Sequence, residues 1–190
     1  MRTLKRDVKV ERLSGRLVLS LDFPEVFSDR FRRRLSSGFT SRLLVKVEMQ
    51  GRKKGARVLG LLQYTILYDI WDERFNVRIS SAGSQRDLQV RTMEELIARC
   101  GSVRRMPLEL EPDLDVADHY RTQVRIEVNP ASPEERRKVR EYLANPDGRS
   151  TVGSQRSFFG SFSRIFVRER DIQADAVYTY RSSDVSLPSG

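Results

Sequence analysis

The chain has 190 residues, a formal net charge of +9, 38% hydrophobic and 32% charged residues, one cysteine and one histidine. That length holds one domain of ordinary size plus an extension, and the apolar residues fall in patterned runs rather than diluted as in a disordered chain. A single cysteine excludes an intrachain disulfide framework, and no run of about 18 apolar residues is present to span a bilayer.

Arginine supplies nearly all the positive charge; the lysines are Lys5, Lys9, Lys46, Lys53, Lys54 and Lys138. Guanidinium groups favour bidentate contact with carboxylates and phosphates, which points to an anionic partner. A GC-rich genome would enrich arginine equally.

The opening segment MRTLKRDVKVERLSG is charged, and Asp22 interrupts the short apolar stretch after it, which reads as a strand and not as a signal-peptide core. As written, the chain is expected in the cytoplasm, or in the periplasm or envelope where an export signal has been trimmed. Leu17, Leu19, Leu21 and Phe23 alternate with polar residues at period two. Ser28 then caps a short helix whose Phe31 and Leu35 sit four apart, ending at Gly38. Alternation resumes at Phe39, Leu43, Val45, Val47 and Met49, opposed by Arg42, Lys46 and Glu48 on a face expected in water.

GRKKGAR, residues 51–57, joins that strand to Val58–Trp71, an apolar run that reads as a central strand covered on both faces. Asp72 and Glu73 turn the chain into Phe75, Val77 and Ile79, and SSAGSQ leads to a short strand over Asp87–Val90. Thr92 and Glu95 form a capping box for a helix that carries Cys100 on its last turn and stops at Gly101. The clearest alternation is Tyr120, Thr122, Val124, Ile126 and Val128. Leu19, Leu21, Val45, Val47, Leu62, Tyr64, Ile66, Val124 and Ile126 are therefore expected to line one core.

Ser132, Pro133 and Glu135 start a third helix reaching about Leu143. NPDGRSTVGS, residues 145–154, reads as a linker. Beyond it, Phe158, Phe162, Ile165 and Phe166 share one helical face, flanked by Arg156, Arg164 and Arg168. The stretch from Ala174 to Leu187 reads as a terminal strand and tail.

Three constellations carry possible chemistry. The acidic loop Glu109–His119, with Asp113, Asp115 and Asp118 as its metal-ligand candidates, offers several oxygens but lacks the glycine and terminal glutamate of an EF-hand loop. The basic runs Arg30, Arg32, Arg33, Arg34 and Arg52, Lys53, Lys54 are the candidate phosphate contacts for a nucleic acid. The phenylalanine and arginine segment suits a helix lying in a membrane interface, or one covering the domain's own sheet, which is the commoner role. No catalytic residue is assigned: His119 opens a strand, no nucleophile elbow is present, and Cys100 reads as a small core residue.

Taken in order, "LDFPEVF", "LSSGF", "TSRLLVKVEM", "YTILYDIWDERFNV", "TMEELI", "MPLEL" and "HYRTQVRIEVNP" resemble the DUF4390 family of uncharacterised bacterial proteins over roughly residues 13–143. The resemblance implies no agreed activity, and it implies an exported or membrane-tethered setting for many members. The expected architecture is mainly β: an antiparallel β-sandwich, Ig-like or C2-like, with three short helices and a C-terminal amphipathic helix. Residues 1–144 form the sandwich, 145–154 the linker, and 155–190 the helix and terminal strand packed on the same domain. The expected role is a non-enzymatic module without a cofactor, docking on a partner protein or an anionic membrane surface. The alternatives are metal binding or catalysis by the acidic loop, and nucleic-acid binding by the basic runs.

Overall fold

The computed structural model describes residues 2–5, 8–14, 16–51, 57–81, 84–110, 119–130, 174–181 and 185–186. In chain order these form β1 (Arg2–Lys5), β2 (Lys9–Leu13), β3 (Arg16–Asp22), a 3-10 turn (Pro24–Val26), α1 (Asp29–Leu35), β4 (Ser41–Gly51) and β5 (Arg57–Asp69). There follow β6 (Arg74–Ser81), β7 (Ser84–Val90), α2 (Met93–Cys100), β8 (Ser102–Pro107), β9 (Glu109–Leu110), β10 (His119–Val128), β11 (Ala176–Arg181) and β12 (Val185–Ser186). The larger sheet runs β1-β11-β10-β4-β5-β6-β7, with β12 beside β10 and β9 beside β5; the smaller runs β2-β3-β8. All pairings are antiparallel except β1 with β11.

Period two sets which face each strand buries. Val45 lies opposite Leu62 on one side and Ile126 on the other, and Val47 opposite Val124, so one row crosses three strands in register. Leu17, Leu19 and Leu21 of β3, with Val103 and Met106 of β8, belong to the same core, which contains all nine residues expected there. Each such side chain contributes about 1.5–3 kcal/mol through burial relative to exposure.

Both helices begin where their caps predict. Ser28 Oγ accepts from the Phe31 amide at 3.5 Å, and Phe31 and Leu35 are buried. Thr92 Oγ1 accepts from the Glu95 amide at 3.1 Å. Glu95 Oε2, however, accepts from the Arg91 amide at 3.2 Å, one residue ahead of its capping-box position. The Gly101 amide closes α2 on Ile97 O, and Gly101 O accepts from the Phe23 amide at 2.7 Å, tying the end of α2 to the end of β3.

Several expectations are corrected. Phe39 stands 68% exposed, because the turn through Gly38 (φ +78°) delays the start of β4 to Ser41. Ile70 and Trp71 leave the central strand, which ends at Asp69; Asp69 Oδ1 accepts from the amides of Trp71 (2.9 Å) and Asp72 (3.1 Å) and fixes an Asx turn there. Lys46, expected in water, is 1% exposed and donates to Glu127 Oε1 at 3.0 Å, Glu127 itself being 0% exposed. The charged opening segment contains two strands, β1 and β2, and the short strand of 87–90 extends back to Ser84. The terminal strand is present as β11 and β12, with β11 sitting between β1 and β10. The third helix (132–143), the linker (145–154) and the phenylalanine segment (154–170) lie outside the described residues. Among the described residues no helix is long and apolar enough to cross a membrane.

Candidate functional site

The candidate site lies at the β6–β7 end of the larger sheet. Ile79, Val77 and Phe75 of β6 face the core, and opposite them on β7 stand Arg86, Leu88 and Val90. Along that β7 row Val90 is buried, Leu88 half-buried and Arg86 exposed, so the interior face opens toward Arg86. A cleft of about 570 Å³ lies there, walled by Ala98 and Arg99 of α2 and by the whole of β8. Its floor is Leu62, Tyr64 and Ile79, and Arg86, Arg99, Arg104 and Arg105 line it, with no carboxylate among its lining residues.

The four arginines arrive from three elements for separate local reasons. Arg99 occupies the last turn of α2, where a cation complements the helix dipole. Arg86 points inward on an edge strand, a placement that also discourages pairing with another chain. Arg104 and Arg105 are consecutive and both exposed, because the β3–β8 register shifts between Leu19 and Leu21. The Arg105 backbone takes φ +51°, and its amide donates to Ser20 Oγ at 3.1 Å. A bulge of this kind re-aims side chains that a regular strand would send to opposite faces.

The neutralising partners are unevenly distributed. On the outer face of β6–β7 Arg78 donates to Asp87 Oδ1 at 2.9 Å, which holds the Asp87 carboxyl below the usual carboxylate range. In the cleft Arg104 donates to Asp22 Oδ1. Among the described residues Arg86, Arg99 and Arg105 form no ion pair with a carboxylate. Three guanidinium groups without a carboxylate partner thus line one cleft with an apolar floor, which makes its local potential positive.

Two buried titratable groups lie in this region, the Tyr64 phenol on the cleft floor and the Cys100 thiol at the end of α2. Burial pushes the Cys100 thiol up to about 12, with Arg86 pulling slightly the other way, so the thiolate needed for nucleophilic attack does not form. Burial likewise raises the Tyr64 phenol, whose hydroxyl donates to Ser102 O at 3.1 Å.

Of the candidates read from sequence, the run on α1 lies among the described residues. Arg30, Arg32, Arg33 and Arg34 share α1, but Arg32 Nε donates to Phe27 O at 2.7 Å and Arg34 lies 3.6 Å from Asp175. All four are exposed, and among the described residues Arg30 and Arg33 form no ion pair with a carboxylate. Arg52, Lys53, Lys54, Asp113, Asp115, Asp118, Arg156, Phe158, Phe162, Arg164, Phe166 and Arg168 lie outside the described residues, as does the side chain of His119. Among the described residues no group of three or more His, Cys, Asp or Glu is arranged to hold a metal ion.

Sequence reasoning missed the cleft. One signal was present: in SVRRMP the buried Val103 and Met106 are three apart instead of two, the mark of an extra residue in a strand. No protein-family model matches the chain, and neither a curated protein nor a solved structure matches it at a significant level.

Proposed function

We propose that the chain is a non-enzymatic binding module that takes a ligand carrying two or more phosphate or carboxylate groups in the arginine-lined cleft. Two sheets sharing one core support a β-sandwich architecture for the module, with the cleft at the β6–β7 end of the larger sheet. Membership of the DUF4390 family belongs to the same proposal and rests on the sequence signposts alone. The observation that carries the function is the bulge in β8: a non-glycine residue at positive φ costs about 1 kcal/mol, and here it adds a second consecutive arginine to the cleft wall.

The test is a titration with inorganic tripolyphosphate and with an oligoglutamate peptide, at low and raised salt. The full chain is compared with an Arg86→Ser, Arg105→Asn variant, asparagine being chosen because it tolerates the left-handed backbone. Each lost charge-assisted contact should weaken binding roughly tenfold, with the melting temperature unchanged. Equal affinity in both chains, or no binding of either probe at low salt, overturns the proposal.

A further inference from the structure

We propose that the β5–β6 hairpin apex docks the protein on a phospholipid bilayer, with Trp71, Ile70 and Phe39 seated at the boundary between headgroups and acyl chains. The inference is independent of the cleft. Five large apolar side chains stand exposed among the described residues, and four of them, Phe39, Leu67, Ile70 and Trp71, come from this hairpin and the turn packed beside it. A Cβ placed on Gly38 would lie 3.4 Å from Ile70 Cγ2, so the turn carrying Phe39 is in contact with the hairpin. Trp71 is 89% exposed and Ile70 58%. Scattered single apolar residues are ordinary on a surface, whereas a clustered set at one end of a molecule marks a contact.

Three features fit a bilayer better than a protein groove. The apex is a hairpin turn that projects, and its own backbone is provided for: Asp69 accepts from both the Trp71 and the Asp72 amides, so those donors enter a low-dielectric layer already bonded. Indole is the side chain that settles at the membrane interface, apolar in body and able to donate to a headgroup oxygen. Charged residues flank these two turns in sequence. Arg33 on the last turn of α1, a few residues before Gly38, is exposed and suits a lipid phosphate. The Asp72 carboxylate is offset by Arg74 at 3.8 Å, and Glu73 limits entry to the boundary rather than the hydrocarbon core.

Trp71 is the only tryptophan in the chain, so its emission reports the apex directly. The experiment adds vesicles of phosphatidylcholine, alone or with phosphatidylglycerol, to the full chain and follows Trp71 emission, acrylamide quenching and co-sedimentation. A blue shift with loss of quenching, larger for the anionic mixture, is the expected result. Phe39→Ser with Ile70→Ser keeps the reporter and should weaken partitioning by roughly tenfold or more, and Trp71→Ser should do the same by sedimentation. These side chains are exposed, so circular dichroism should find all variants folded. Unchanged emission with both vesicle types overturns the proposal. So does undiminished sedimentation of the variants, which would place the lipid contact elsewhere. A blue shift that follows protein concentration without lipid also overturns it, because the apex would then be meeting a second copy of the chain.

Discussion

Lys46 and Glu127 put a full ion pair inside the larger sheet, on adjacent strands, with side chains 1% and 0% exposed. Arg125 Nε stands 2.9 Å from the same carboxylate oxygen, as an ion-pair contact without hydrogen-bond alignment. Desolvating such charges costs several kcal/mol per ion, and their attraction roughly offsets it, so the cluster is expensive to break and cheap to replace. Glu127→Gln should therefore cost about 3–5 kcal/mol, because it strips the carboxylate from two cations at once. Lys46→Met should cost less, since Arg125 still faces Glu127. The double change Lys46→Met, Glu127→Leu should recover most of the loss, and urea unfolding of the four chains measures the difference. A double variant as weak as Glu127→Gln would mean that the site needs its polarity. Period two placed Lys46 on the right face and still misjudged its environment. Alternation tells which way a side chain points, not whether that face is covered.

Among the elements, β8 depends most on a residue outside itself. Gly60 lies near the start of β5, and a Cβ there would come 2.7 Å from Leu108 Cδ2 and 2.9 Å from Met106 Cε. The missing side chain lets the end of β8 settle on the sheet, which sets the height of the cleft wall. Gly60→Ala gains about 0.5–1 kcal/mol in chain entropy. It forces two packed side-chain ends to move, at about 1–3 kcal/mol. The second effect is larger, so a net loss of about 1 kcal/mol is expected by thermal or urea unfolding. Full tolerance would show that Leu108 and Met106 have room to turn aside. Local signals carried the other elements well: Ser28 and Thr92 cap their helices because a cap needs only residues three apart. The cleft was illegible for the opposite reason. Arg86, Arg99 and Arg105 are brought together by the packing of β7, α2 and β8, and only the Val103–Met106 spacing hinted at it.

At the scale of the whole molecule, the described parts share one core, and β11 is built into its main sheet. Tyr178 and Tyr180 are buried in that core and pair opposite Ile126 and Val124. The Asp175 amide donates to Val128 O at 2.9 Å, and the Asn129 side chain donates to Asp175 Oδ2, which closes the junction. A chain ending at Asp175 would lose two buried tyrosines and leave the edge of β10 unpaired along most of its length. Such an edge is a template for pairing with other chains. The expected outcome is aggregation at concentrations where the full chain stays monodisperse by light scattering. A truncated chain that remained monomeric with its melting point intact would mean that β11 is dispensable.

The parallel pairing of β1 with β11 has a further consequence for biosynthesis. Arg2 lies opposite Tyr178, so β1 must wait for a partner segment that is made much later. Local hairpins such as β5–β6 and β6–β7 can close while the chain is still growing, but this ladder cannot. Contacts so distant along the chain are slow to form, because loop closure is paid before any contact rewards it. During synthesis β1 therefore stays without its β11 partner until that distant segment has been made.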